Sequence, residues 1–214
     1  MLILLAGCST VHGVRPLEAG QWAVEGSVGG PITEVYGAPI PLPISTVGAA
    51  YGLDGRTDLH AAVQTGALAF FGLGGLDLGV SRQFWGNDAT RLMGDLTLVG
   101  IAGDVDPDGG EPGGFALFAN PTVTLARDWG EARRQTVYGS LFGFVEATPA
   151  FAGLAGLAAG NRWGLGPQLG LTTELKWIAP YASTRSLTPR YLSPGELGAV
   201  SFLVGMDVRL GGGE

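Results

Sequence analysis

A chain of 214 residues with 38 glycines, one cysteine and only 14% charged residues is long enough for one domain, and its lone cysteine excludes an intrachain disulfide framework. The net charge of −7 argues against nucleic acid as a partner, because such binding needs Lys and Arg to neutralise phosphates. No apolar run approaches the ~20 residues that a membrane helix needs, and the glycines show no three-residue period, which excludes a collagen-like rod.

The chain opens Met-Leu-Ile-Leu-Leu-Ala-Gly-Cys-Ser-Thr: apolar residues, a small pair, then the single cysteine. Leu5-Ala6-Gly7-Cys8 resembles the lipobox of bacterial lipoprotein signals. The resemblance implies that residues 1–7 are a signal-peptide remnant and that Cys8 is lipidated as the mature N-terminus. It also implies that Ser9, where an Asp would retain the protein elsewhere, sends it to the outer membrane through the lipoprotein-sorting machinery. No Lys or Arg precedes the apolar run, and that run is shorter than the ~7–15 residues of a secretory h-region, so the start is expected upstream of Met1. The competing structural reading is a buried free cysteine in a short apolar strand. Residues 8–19 are expected to be a lipid-anchored tether without regular structure, and residues 20–214 the folded domain.

From Gln21 the sequence alternates. Trp22, Val24 and Val28 share one parity over Gln21–Gly29, with Gln21, Glu25 and Ser27 on the other. Gly30–Pro43 carries four prolines and reads as a loop, since proline cannot sit in a strand interior. A strand over Ile44–Leu53 and another over Thr57–Ala67 flank an Asp54-Gly55 pair of the kind favoured in tight hairpins. A fourth, Phe70–Phe84, sets Leu76, Leu78, Val80 and Phe84 against Asp77, Ser81 and Gln83; a fifth, Arg91–Gly103, sets Leu92, Leu96 and Leu98 against Asp95 and Thr97. The acidic, breaker-rich stretch 103–114 reads as a solvated loop. It is a candidate for a surface ligand, and its Asp spacing only loosely follows a calcium loop. Strands over Phe115–Trp129 and Thr136–Glu146 follow, the second aromatic on both parities. Phe151–Gly160, Ala- and Gly-rich, reads as a strand turning at Asn161-Arg162, with a short helix as the alternative.

The clearest pattern lies over Gln168–Trp177. Leu169, Leu171, Thr173, Leu175 and Trp177 alternate with Gln168, Gly170, Thr172, Glu174 and Lys176. Successive side chains of a strand point to opposite faces, and a dry sandwich core rarely accepts a carboxylate and an ammonium in mid-strand. The same alternation returns over Ala199–Leu210, with Asp207 and Arg209 on the polar parity. Apolar residues outward and polar residues inward describe a barrel that spans a bilayer. The expected fold is therefore all-β, a closed antiparallel up-and-down barrel of about ten strands, with eight the alternative.

With the N-terminus on the periplasmic side, loops 30–43, 103–114 and 180–194 face outside, and the shorter turns near Asp54, Asn87, Glu131 and Asn161 face the periplasm. Long outer loops and short inner turns are characteristic of such barrels. Trp22, Trp85, Trp129 and Trp163 then gather at the periplasmic interface, where tryptophans are favoured. Arg82 and Arg127 lie on outward parity near the same end, in reach of headgroups. On this pattern Gly20–Leu210 resembles the small outer-membrane β-barrel proteins. The resemblance implies outer-membrane lipids and the barrel-assembly machinery as partners.

The inward parity gathers Glu25, Asp58, His60, Asp77, Asp95, Glu174, Lys176, Asp207 and Arg209. The simplest role for these groups is a polar network that fills the lumen. No metal spacing, phosphate loop or nucleophile elbow is present, and no cofactor is expected. His60, with Asp58 and one of Ser27, Ser45 or Ser81, is the only arrangement that could activate a hydroxyl by general-base action. The expected role is structural or surface interaction. The alternatives are a lipid-modifying enzyme, a narrow pore or a soluble lipocalin-like carrier. The pore is weakened by strand number, since aqueous channels need roughly 16–18 strands.

Overall fold

The computed structural model describes residues 14–35, 37–87, 89–103, 114–130, 134–148, 152–183 and 191–211. Cys8, His12 and positions 104–113 lie outside them. Eleven strands form in chain order: β1 Trp22–Val35, β2 Ala38–Pro41, β3 Ile44–Gly52, β4 Thr57–Val63, β5 Gly74–Gly86, β6 Thr90–Gly103, β7 Gly114–Trp129, β8 Gln135–Thr148, β9 Ala152–Gly164, β10 Leu169–Ser183 and β11 Leu197–Leu210. Every neighbouring pair is antiparallel, and β1 also pairs with β11 from Trp22↔Leu210 to Pro31↔Ser201. That last ladder closes the sheet. Ten strands are staves of the barrel, while β2 pairs only with the overhanging end of β1. Closure leaves no open edge in the wall, which a bilayer-spanning sheet requires.

Alternation sets which way each stave faces. Along β10, Leu175 is 53% exposed, whereas Glu174 and Lys176 beside it are 1% and 4% exposed. Val24, Leu59, Leu78, Leu98, Val123, Leu141 and Met206 are exposed in the same way around the wall. The apolar parity thus faces outward, which removes the lipocalin-like alternative, whose apolar parity would face inward. On β5 a register shift between Gln83 and Trp85 leaves both Phe84 and Trp85 exposed, as a bulge does when it inserts one residue.

The turn end of the barrel is tight. Asp54 Oδ1 accepts from the Arg56 and Thr57 amides at 2.9 and 2.6 Å, with Gly55 at φ +75°. The Arg56 amide, ahead of the Thr57 hydroxyl and amide, holds this exposed carboxyl below its ordinary range. Asn87 Oδ1 accepts from the Ala89 and Thr90 amides in the same fashion.

Three sequence expectations are corrected. The stretch 30–43 is paired where a loop was expected: β1 runs on to Val35, and Pro39 and Pro41 of β2 lie opposite Glu34 and Ile32. Because β2 is an edge strand, its prolines owe no amide to a second neighbour. The expected strand to Ala67 stops at Val63, and a helix, α1 Thr65–Phe71, separates it from β5. The run Gly66-Ala67-Leu68-Ala69 suits a helix better than a strand, and Gly72 in a left-handed conformation (φ 68°) caps it. α1 lies close on β3: a Cβ on Gly66 would stand 2.3 Å from the Ser45 amide nitrogen. Finally, β9 does not turn at Asn161-Arg162. Both are strand residues, Arg162 opposite Thr172 and Thr136, because the Arg162 side chain is needed inside the lumen. The turn comes at residues 165–168, where the Leu165 amide donates to Leu169 O.

Candidate functional site

The staves together enclose a lumen, and its filling changes along the axis. At the turn end it is entered by the chain itself. Residues 14–20 have no regular structure, yet Val14 and Leu17 are 6% and 4% exposed. Charged lumen side chains hold this strap by its backbone. The Leu17 amide donates to the Asp58 carboxylate at 3.1 and 3.3 Å. Arg91 Nε donates to Val14 O at 3.0 Å, and Arg209 Nη2 donates to Arg15 O at 2.9 Å. Gly20 and Gln21 then bond Gly52 through the backbone, and the Gln21 amide side chain donates to Gly211 O. The part of the expected tether from residue 14 onward is therefore built into the barrel mouth. Sequence reasoning missed it because its partners lie 41 to 194 residues away.

Above the strap lies a band of charge. Asp128, with a fully buried side chain, accepts from both terminal nitrogens of Arg91 and from Thr136 Oγ1 at 2.6 Å; Arg15 of the strap approaches to 3.6 Å. Arg162 donates to both oxygens of Asp207 at 2.8 and 2.6 Å, and Arg209 flanks the same carboxylate at 3.7 Å. Glu174 accepts from the Tyr138 hydroxyl at 2.7 Å and pairs with Lys176 at 3.5 Å, whose ammonium also lies 5.4 Å from the centre of the Phe142 ring. Gln64 donates to Asp77 at 2.8 Å. Glu25 lines a residual cavity with Asp58, Arg162, Asp207 and Arg209. That cavity is about 60 Å³, space for a few waters at roughly 10–15 Å³ each.

His60 does not assemble with the acid and serines singled out in the sequence. Its Nε2 meets Asp95 Oδ2 at 2.8 Å, while Asp58 is committed to the strap. Ser27 bonds Thr46 and Ser45 bonds Thr65, and the Ser81 hydroxyl is buried without a hydrogen-bond partner among the described residues. No serine–histidine–acid relay forms there. Among the described residues no group of three or more His, Cys, Asp or Glu could hold a metal ion.

Toward the loop end the lumen turns apolar. Val99 and Ile101 of β6, Ala116 and Phe118 of β7, Phe142 and Phe144 of β8, and Ile178 and Ala179 of β10 pack with Ala67 of α1 and Leu73 as one buried cluster. The Phe118 and Phe144 rings stack with centroids 4.8 Å apart. All the strand members but Ala179 sit on inward positions, which the alternation rule alone would have filled with polar groups; Ala179, at φ 47°, follows Ile178 where the register of β10 shifts. Asp128, Tyr138 and Arg162 were also missed as site residues. For Asp128 a signal existed, since it continues the inward parity of Thr122 and Thr124.

No protein-family profile matches the chain, and no curated protein does. Similar solved structures include the NanC porin (9% identity, 88% of this chain and 100% of that one, TM-score 0.48). The translocator domain of the autotransporter NalP from Neisseria meningitidis (11%, 92% and 91%, TM-score 0.47) and the outer-membrane protease OmpT from Escherichia coli (10%, 90% and 94%, TM-score 0.37) are others. At such identities and scores the likeness carries no role over to this chain.

Proposed function

We propose that the chain is a lipid-anchored, non-conducting outer-membrane barrel whose role is structural or surface-interacting rather than transport or catalysis. The observation that carries this reading is the double closure of the lumen. A strap tied by Asp58, Arg91 and Arg209 fills one end, and a layer of Phe118, Phe142, Phe144 and Ile178 fills the other. A pore would leave a continuous aqueous path, and an enzyme would leave an open cleft with converging reactive groups. The belt of exposed Val and Leu on the wall supports a position within a bilayer. Trp22, Trp85 and Trp129, exposed at the turn end, support an interface there. The anchor fits the same geometry: six residue steps separate Cys8 from Val14, a reach of up to about 20 Å when extended, ample to carry a lipid from the barrel mouth into the adjoining leaflet. The acidic stretch 104–113, leaving the wall between the paired Gly103 and Gly114, is the proposed surface for an external ligand.

Two measurements test the proposal. Purified protein in a planar bilayer should add no steady conductance, and regular single-channel openings would overturn the closed-lumen reading. Metabolic labelling with an alkyne fatty acid should mark the wild type and leave Cys8→Ala unmarked; equal labelling of both would remove the lipid anchor.

A further inference from the structure

The outer wall carries one feature that a smooth barrel would lack. β4 ends at Val63, while its neighbour β5 continues upward through Leu76 and Gly75 to Gly74. α1 replaces the missing end of β4, turning Ala67 into the lumen core and Leu68 outward, where it is 59% exposed. Beneath this overhang lies a groove of about 730 Å³ on the outside of β5, β6 and β7. Small residues, Gly74, Gly100 and Ala102, widen it, and Leu68 and Phe115 stand at its sides. Among the described residues no charged side chain lines it; its two polar members, Gln64 and Thr65, lie at the loop end. Gln64 directs its amide inward to Asp77, and Thr65 bonds the exposed Ser45 hydroxyl.

We infer that this groove holds one acyl chain of a lipid in the leaflet at the loop end, with the lipid's polar head toward Ser45 and Thr65. What covers the groove follows from where it lies. Leu76, Leu78 and Leu98 in the groove belong to the exposed apolar belt, so the groove is continuous with the surface that meets hydrocarbon. A chain lying along it meets apolar walls on both flanks rather than one flat face. Strands rise about 3.3 Å per residue, so from Gly74 to Leu78, or from Leu98 to Ala102, the groove runs about 13 Å along the wall. Polar groups at only one end orient an amphiphile as a leaflet lipid is already oriented. The inference rests on the reading of the chain as a membrane-spanning barrel.

The test is native mass spectrometry of the full chain, refolded into vesicles of dimyristoyl phosphatidylcholine and released into a mild detergent. Gly100→Leu and Ala102→Leu fill the groove; a Cβ on Gly100 stands 3.4 Å from the Phe115 ring, so the first variant needs only a small ring movement. Leu141→Phe, on the outward face of β8, serves as the control. Wild type and the control should retain one phospholipid per barrel at detergent levels that strip the rest. Both groove variants should lose it at least fivefold more readily, while still showing heat-modifiable migration on a cold gel. Retention that is absent in wild type, or equal in all four proteins, overturns the groove and leaves the barrel reading intact. Failure of the wild type to enter vesicles overturns both.

Discussion

Removing the charge of Asp128 should unbalance the turn-end half of the lumen more than any other single change of equal size. Its carboxylate is fully buried and faces two guanidinium groups, Arg91 in a two-point contact and Arg15 at 3.6 Å, besides the Thr136 hydroxyl. Asp128→Asn keeps the shape but takes the Asp128 charge away from the buried Arg91 guanidinium. Breaking a buried pair from one side costs about 3–5 kcal/mol. Arg91 is 4% exposed, so solvent can do little to soften that cost. Arg91→Met should fall in the same range, with an added loss because Arg91 also holds Val14 O. The double variant Arg91→Met/Asp128→Leu replaces the pair with apolar volume and should recover a large part of the loss, since an apolar substitute for a buried pair is often neutral or better. Reversible urea unfolding of the wild type, Arg91→Met, Asp128→Leu and the double variant in lipid vesicles, followed by tryptophan emission, supplies all four corners of a double-mutant cycle. The expected coupling is about 2–3 kcal/mol, at the upper end for residues in contact. A coupling below about 0.5 kcal/mol, the level of independent sites, would refute the claim that these two groups hold each other in the lumen.

Three further outcomes follow from the same geometry. Leu171→Arg, on the outward parity of β10, should cost about 2–4 kcal/mol if it lies near the bilayer midplane, read as a lowered urea midpoint; an unchanged midpoint would place that face away from lipid. Leu17→Asp, which sets a second carboxylate beside Asp58, should free the strap yet leave planar bilayers silent, because the Phe118, Phe142 and Phe144 layer still seals the loop end. Adding Phe142→Ala and Phe144→Ala to it should produce channel openings, and conductance from Leu17→Asp alone would show the apolar layer to be no barrier. Gly29→Ala should lose about 1–3 kcal/mol, since Gly29 sits at φ +135° and a Cβ there would stand 2.1 Å from Phe202 O; a neutral result in the same unfolding assay would mean that β1 can shift against β11.

What could be read from the sequence divides along local and non-local lines. Closed antiparallel architecture and ten staves were legible because alternation is a two-residue signal, strong where both parities have a clear character, as in Leu171–Trp177. The facing of β8 was not legible. Its inward Phe142 and Phe144 and outward Val137 and Leu141 are all apolar, so parity lost its contrast where the lumen itself turns apolar. α1 was hidden by reading Gly66–Phe71 as the meeting of two strands, although Gly72 just beyond it is a common helix stop. β2 was hidden by its prolines, which exclude a central strand but not an edge. In the lumen, charge on the inward parity was visible residue by residue, but not its pairing: His60 finds Asp95 on β6 rather than Asp58 on its own strand. The strap left no trace at all, because Val14–Leu17 has no periodicity and its partners are scattered over the whole chain.

The division of the lumen into a charged half and an apolar half also explains how so many buried charges are tolerated. Desolvating an ion pair is costly unless its remaining hydrogen-bonding sites are filled, and ten staves alone do not fill them at the open turn end. The strap supplies what the wall lacks there: the Leu17 amide for Asp58, and the Val14 and Arg15 carbonyls for Arg91 and Arg209. At the loop end no such strap enters the lumen among the described residues. The sequence places Phe118, Phe142, Phe144 and Ile178 there instead, which need no hydrogen-bond partners and close on α1 through Ala67. Each end is therefore closed by the kind of group that its neighbouring segment can satisfy, and the charges between them are held by their ion pairs and by the backbone groups of the strap.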